Sequence, residues 1–258
     1  MFGTSRIKKT DFEIDSQGCK LRGFILRPEK TGRLPTVIVN HGFGSCTRDT
    51  KKYARVFVDE GYAAVCFDFC MSGSGKSSGS SLGMSVLTEK TDLLNVLDYV
   101  KTLDFVDPDR ITLVGCSQGG FVSALVAVER ENEVERLVMY YPALCIPDDA
   151  RRGQMITDKF DPDHVPERFR ALFVKLSSKY VLDVKDMDPF REICGFQKPV
   201  LIVHGTKDKL VDIGYSRRAC EGYQNCQIVE VNGDHGFIFS GFAQSKRATV
   251  EYLRSCRS

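Results

Sequence analysis

The residues best suited to do chemistry lie at Gly115-Cys116-Ser117-Gln118-Gly119, a serine with a glycine two positions away on either side. Residues 111–114 (ITLV) before it are β-branched and apolar, as in a strand buried on both faces. Residues 121–128 after it are densely apolar and free of proline, as in a largely buried helix. A strand, a tight turn centred on serine and a helix make a nucleophile elbow. The glycines have a steric purpose. The sharp turn strains the serine backbone, and side chains at the flanking positions would collide. The hydroxyl then stands at a helix N-terminus, where N–H groups and the helix dipole favour developing negative charge. A plain Gly/Ser turn would carry the same letters, so the weight rests on the strand before and the helix after.

A serine hydroxyl near neutral pH needs a base to take its proton, and the base needs a third group to orient it. In this topology the partners follow in the order serine, acid, histidine, each on the loop after a later strand. Residues 200–203 read as a strand leading into His204-Gly205-Thr206-Lys207-Asp208, which places Asp208 on the next loop. Residues 228–231 lead into Asn232-Gly233-Asp234-His235-Gly236, which places His235 likewise. Asp212 and Asp234 are rival acids; Asp208 is preferred because Asp212 reads as the start of a helix. An oxyanion needs two N–H donors: Gln118, and one from an early loop. Residues 41–44 (HGFG) are that loop, with Phe43 as donor. His41 reads as structural, His204 as a satisfied, partly buried histidine, and His164 as a surface residue.

These parts must be carried by a frame. Residues 10–26 read as two strands joined by a turn at Ser16-Gln17-Gly18, and 36–39 as a buried strand. Residues 49–60 suit a helix stopped by Gly61, 62–69 a strand, and 87–103 an amphipathic helix. Residues 72–83 are rich in Gly and Ser but lack the glycine spacing of either phosphate-binding loop, so they read as a surface loop. Residue 134 to 141 is another strand; 213–220 and 243–254 are helices, with a strand at 227–231 between them. The alternation predicts an α/β fold: a mostly parallel central sheet with helices on both faces. It breaks at 144–197, a charged stretch with four prolines, read as an inserted cap with structure of its own. Within it, Phe169, Leu172, Phe173, Leu176 and Tyr180 fit a helical spacing, while residues 172–174 could equally form a strand. The core is then 1–143 together with 198–258.

Composition narrows the function classes. In 258 residues the net charge is +2 with no basic run, so neither nucleic acid nor an anionic membrane is an expected partner. The first residues lack a 7–15-residue apolar segment, so no signal peptide is expected. Ten dispersed cysteines without a C-x-x-C suggest reduced thiols, no structural disulfide and a cytoplasmic protein. Four scattered histidines give no metal motif, and neither metal nor cofactor is expected.

The motifs HGFG (41–44), FDF…GSGKSSG (67–79), GCSQGG (115–120), HGTKD (204–208) and GDHGF (233–237) together resemble the α/β-hydrolase superfamily over nearly the whole chain. With residues 149–153 and 160–167, the sequence is similar to bacterial cinnamoyl/feruloyl esterases. That resemblance implies the α/β-hydrolase fold and a serine esterase cleaving small-molecule feruloyl- or coumaroyl-type esters through an acyl-enzyme. It implies Ser117, Asp208 and His235 as the triad, and Phe43 and Gln118 as the oxyanion hole. It also implies a cap roofing the acyl pocket, with Asp149 and Tyr180 at the phenolic end of the substrate. Two positions depart from the pattern: Cys116 and Ser74 stand where the family usually has His. The competing readings are a generic short-chain or lipase-like esterase and, more remotely, a non-catalytic binding module of the same fold. A homodimer stays open.

Overall fold

The computed structural model describes residues 6–256; residues 1–5, on which the leader expectation draws, lie outside the described residues. The chain opens with β1 (Ile7–Ser16), β2 (Cys19–Pro28), β3 (Leu34–Asn40), α1 (Thr47–Asp59) and β4 (Ala63–Asp68). It continues with α2 (Val86–Lys101), β5 (Val106–Cys116), α3 (Gln118–Glu129) and β6 (Arg136–Tyr140). A segment of short elements follows: α4 (Ile146–Arg151), β7 (Gln154–Met155), β8 (Asp158–Lys159), β9 (Arg168–Ala171), β10 (Val174–Ser177), α5 (Lys179–Leu182) and α6 (Pro189–Ile193). The last four are β11 (Val200–Gly205), α7 (Ile213–Gly222), β12 (Cys226–Val231) and α8 (Phe242–Ser255).

Eight strands pair in the order β1-β2-β4-β3-β5-β6-β11-β12. β2 runs antiparallel to both of its neighbours, and every other pair in this sheet is parallel. The expected α/β architecture follows from side-chain alternation on strands buried on both faces. Val37, Val39, Leu201 and Val203 pack with Tyr53 and Phe57 of α1 and Leu253 of α8. Ile38, Leu113 and Ile202 point the other way, into a core shared with Leu93 and Val96 of α2 and Phe121 and Leu125 of α3. Each such side chain contributes roughly 1.5–3 kcal/mol by leaving water. β5 begins at Val106, ahead of the expected strand start and running through Asp107-Pro108.

Two expectations need correction. The helical spacing from Phe169 to Tyr180 is a hairpin: β9 pairs antiparallel with β10, and Leu172 and Phe173 form its exposed turn rather than a strand. Phe169, Ala171, Val174 and Leu176 are the buried positions, a period of two on each arm that the helical spacing had masked.

The second concerns the thiols. Cys220, near the end of α7, and Cys226, opening β12, form a disulfide with Cα atoms 5.4 Å apart. The turn between helix and strand brings together two residues only six apart, which a reading of dispersal along the chain misses. The other eight cysteines are free. Closing so short a loop stabilises by on the order of 2 kcal/mol in the chain-entropy account. Reduction should therefore lower the melting temperature by about 4–8 °C. Calorimetry with and without reductant checks it, and a Cys220→Ser/Cys226→Ser variant should be insensitive to reductant; an unchanged wild-type melting point would refute the bridge. Among the described residues, no helix is long and apolar enough to cross a membrane.

Candidate active site

The turn from β5 into α3 carries Ser117 at φ 53°, ψ −121°, the strained backbone expected of an elbow. Such a conformation costs of order 1–3 kcal/mol and persists only where its surroundings over-determine it. Here they do. Ser117 donates its N–H to Tyr140 O at 2.9 Å, and its carbonyl accepts from Gly120 and Ala143 at 2.8 and 3.0 Å. The flanking glycines are required by close approach: a Cβ at Gly115 would lie 2.2 Å from Gly119 O, and one at Gly119 would lie 2.3 Å from His41 O.

Three strand ends bring the chemistry together. Ser117 follows β5, Asp208 follows β11, and His235 follows β12. His235 Nε2 lies 3.1 Å from Ser117 Oγ, and His235 Nδ1 lies 2.7 Å from Asp208 Oδ2. A carboxylate can only accept, so Nδ1 carries the proton and Nε2 is left to accept from the serine hydroxyl. This line can move a proton off Ser117 and hold the resulting imidazolium against a fixed negative charge.

The Asp208 side chain is fully buried and accepts four hydrogen bonds. Leu210 and Val211 N–H reach Oδ1 at 2.8 and 2.9 Å, while His204 Nε2 shares Oδ2 at 3.1 Å. Burial acts to raise its pKa, but the bonds from His204, His235 and the backbone outweigh it and hold the carboxyl below the usual range. His204 is fully buried, not partly, and its Nδ1 accepts from Ser216 Oγ at 2.7 Å. Its grip on Asp208 was not foreseen, although a four-residue spacing within HGTKD is the signal for it. The rival acids are engaged elsewhere: Asp212 accepts from Gly214 N–H at the start of α7, and Asp234 gathers the N–H groups of Ile238, Phe239 and Ser240.

The loop after β3 lies against the serine; a Cβ at Gly42 would come within 2.9 Å of Ser117 Cβ. Phe43 of this loop and Gln118, the first residue of α3, both border the cavity over Ser117. His41 Nε2 accepts from Phe69 N–H at 3.0 Å, so its Nδ1 proton goes to Gly42 O at 2.8 Å. Burial lowers the His41 pKa, which keeps the ring neutral and in that tautomer. Ser74 donates to Gly44 O at 3.2 Å, bracing the same loop. Beside Ser117, burial pushes the Cys116 thiol up to about 12, so the thiol stays protonated near neutral pH.

α1 holds the histidine loop. Lys52 Nζ donates to Gly236 O at 2.8 Å and Tyr53 donates to the same oxygen at 3.0 Å. Tyr141, at φ 40°, donates to Tyr53 Oη at 2.8 Å and sets its ring edge-on to His235, with centroids 4.7 Å apart. None of these three carries a sequence motif.

The cavity above Ser117 measures about 800 Å³, and its walls include Ile146, Met155 and Leu172 from the segment between β6 and β11. Asp149 and Tyr180 also border it. Asp149 accepts from Arg152 at 2.7 Å, whereas the Tyr180 hydroxyl donates to Gln118 Oε1. Leu210 and Ile238, both largely exposed, flank the cavity on the core side.

A mostly parallel eight-stranded sheet with serine, aspartate and histidine on the loops after β5, β11 and β12 defines an α/β hydrolase. The chain belongs to the family described as X-Pro dipeptidyl-peptidase (S15 family), whose model matches residues 17–162. Est1E from Butyrivibrio proteoclasticus, solved with ferulic acid bound, superposes with a TM-score of 0.89 at 30% identity, covering 95% of this chain and 98% of that one. An acetyl xylan esterase from Paenibacillus sp. R4 shares the fold, with a TM-score of 0.75 at 17% identity over 98% of this chain and 85% of that one. The quorum-quenching protein AidA of Acinetobacter baumannii is 27% identical over 51% of this chain, which spans only 43% of that relative's length.

Proposed function

We propose that the protein is a serine carboxylester hydrolase acting on hydroxycinnamate esters. The observation that carries the reading is the unbroken line from Ser117 Oγ through His235 to Asp208, at 3.1 and 2.7 Å, opening into a cavity of about 800 Å³. Ser117 attacks the ester carbonyl as His235 takes its proton. The tetrahedral oxyanion is received by the N–H groups of Phe43 and Gln118. His235 then protonates the departing alcohol, and a water molecule activated by the same imidazole releases the acid. All the groups this sequence needs are side chains and backbone amides.

Residues 144–197 act in this reading as a cap over the acyl pocket. The aromatic preference is supported by the likeness to Est1E with its ferulic acid, and by a wall that joins Phe43, Ile146 and Met155 to the polar Asp149. A flat ring gains from apolar burial, and a carboxylate rewards a ring hydroxyl. The family description favours one other reading, a dipeptidyl-peptidase that cleaves after proline with the same serine. The eight free cysteines favour a reducing compartment such as the cytoplasm, and the Cys220–Cys226 bridge weighs against it.

A substrate panel tests the reading. Methyl ferulate and methyl p-coumarate should give a higher kcat/KM than methyl cinnamate, butyrate esters or an Xaa-Pro anilide. Asp149→Ala should shrink the phenolic preference by about tenfold, the effect of one hydrogen bond to a charged group, while a small acetate ester is still turned over. A preference for butyrate that Asp149→Ala leaves alone would remove the hydroxycinnamate assignment, and cleavage of the anilide alone would favour the peptidase.

A further inference from the structure

Three side chains from separate parts of the chain form one buried line beneath the oxyanion loop: Glu89 of α2, Gln118 of α3 and Tyr180 of α5, each at most 1% exposed. Gln118 Nε2 donates to Glu89 Oε2 at 2.8 Å, and the Tyr180 hydroxyl donates to Gln118 Oε1. With the amide nitrogen donating to Glu89 Oε2, the Gln118 carbonyl faces Tyr180 and accepts from its hydroxyl. The Tyr180 ring also packs edge-on against Phe43, with centroids 5.7 Å apart. Tyr180 therefore touches both residues assigned above as oxyanion donors, and Glu89 sits at the far end of the Gln118 side chain.

We propose that Glu89 is a positioning residue: through the Gln118 side chain it fixes the oxyanion donor and ties α5 of the inserted segment to it. The proposal rests on the hydrolase reading above. The other Glu89 oxygen, Oε1, is buried without a hydrogen-bond partner, an arrangement that suits a neutral carboxylic acid rather than a carboxylate. Burial, with Asp92 one turn further along α2 adding to it and the Gln118 bond opposing, pushes Glu89 up to about 8. The titratable groups around this line are Asp92 on α2 and Tyr180 on α5, with Cys145 and Asp149 on the far side of Tyr180. Neutral Glu89 leaves the oxyanion site uncharged at pH 7. Ionised Glu89 places a negative charge one side chain from the developing oxyanion and opposes it.

The test is the pH dependence of p-nitrophenyl acetate hydrolysis by wild type, Glu89→Gln and Glu89→Leu, with Ser117→Ala as the blank. Wild-type kcat should fall above about pH 8, and Glu89→Gln should lack that fall. Glu89→Leu leaves the Gln118 amide without its acceptor and should lose about 10–100-fold in kcat with little change in KM, a loss that Glu89→Gln rescues at pH 7. An alkaline limb unchanged in Glu89→Gln overturns the proposal, whether or not the Leu variant folds. A wild type with no activity beyond the Ser117→Ala blank overturns the hydrolase reading itself, and the proposal with it. A serine-dependent wild type with an unaltered limb overturns only the proposal.

Discussion

Ser117→Ala should lower kcat by about 10⁶, or roughly 8 kcal/mol of barrier, while leaving the melting temperature near that of the wild type. Only the hydroxyl group is removed, and the main-chain bonds to Tyr140, Gly120 and Ala143 that set the turn remain. His235→Ala should cost a similar factor, because without a base to take its proton the hydroxyl is a poor nucleophile. The double variant should be little worse than either single one, since hydroxyl and base act as a unit. Burst and steady-state kinetics with p-nitrophenyl esters, alongside labelling by a fluorophosphonate, supply the measurement. Substantial turnover in Ser117→Ala would sink the assignment of the nucleophile.

Asp208→Asn should be the next most damaging change, with kcat down about 10⁴ and KM within a few-fold. Oδ2 accepts from His235 Nδ1 and His204 Nε2 together, and Oδ1 accepts from two backbone N–H groups. An amide has only one acceptor atom. If its carbonyl serves the backbone, its NH₂ faces His235, and the imidazole must turn its remaining proton toward Ser117. Stability follows a separate rule. The Asp208 pKa is held below its unfolded value, so its contribution is present above about pH 4 and is lost as pH falls through the folded pKa. The Asn variant should lack this component of acid lability, which melting curves at pH 3 and pH 7 for both proteins would reveal. A variant within tenfold of wild-type kcat would remove Asp208 from the triad.

How much of this was legible depended on whether a residue's constraint is local. Gly115 and Gly119 are demanded by atoms within a few residues or in the adjoining loop, and a G-x-S-x-G turn shows that demand in its letters. Asp208 and His235 could be placed because each lies a fixed step beyond an apolar strand. Glu89 could not. Nothing in residues 86–101 distinguishes it from an exposed helical glutamate, and its burial is decided by Gln118 and Tyr180, 29 and 91 positions away. The β9–β10 hairpin was obscured because Phe169, Leu172, Phe173 and Leu176 satisfy a helical spacing while the buried alternation runs through the small Ala171. Cys220 and Cys226 were hidden by the opposite effect, a contact made by the path of one turn, which no list of spacings records.

The length of the segment between β6 and β11 also bears on the order in which the molecule can be built. β11 is the partner of β6 in the sheet, yet about sixty residues separate them in the chain. Until that long loop closes, the apolar strand β6 is an open edge, able to pair with another chain as readily as with its own. Ser117 and His235 are 118 residues apart, so a chain folded only as far as β6 has its serine but no base. Refolding from denaturant should therefore be most exposed to aggregation in any interval before β11 docks. On the proposed mechanism, reactivity toward a phosphonate should appear only once β11 and β12 have docked, which would make the serine a built-in clock for the last step of assembly.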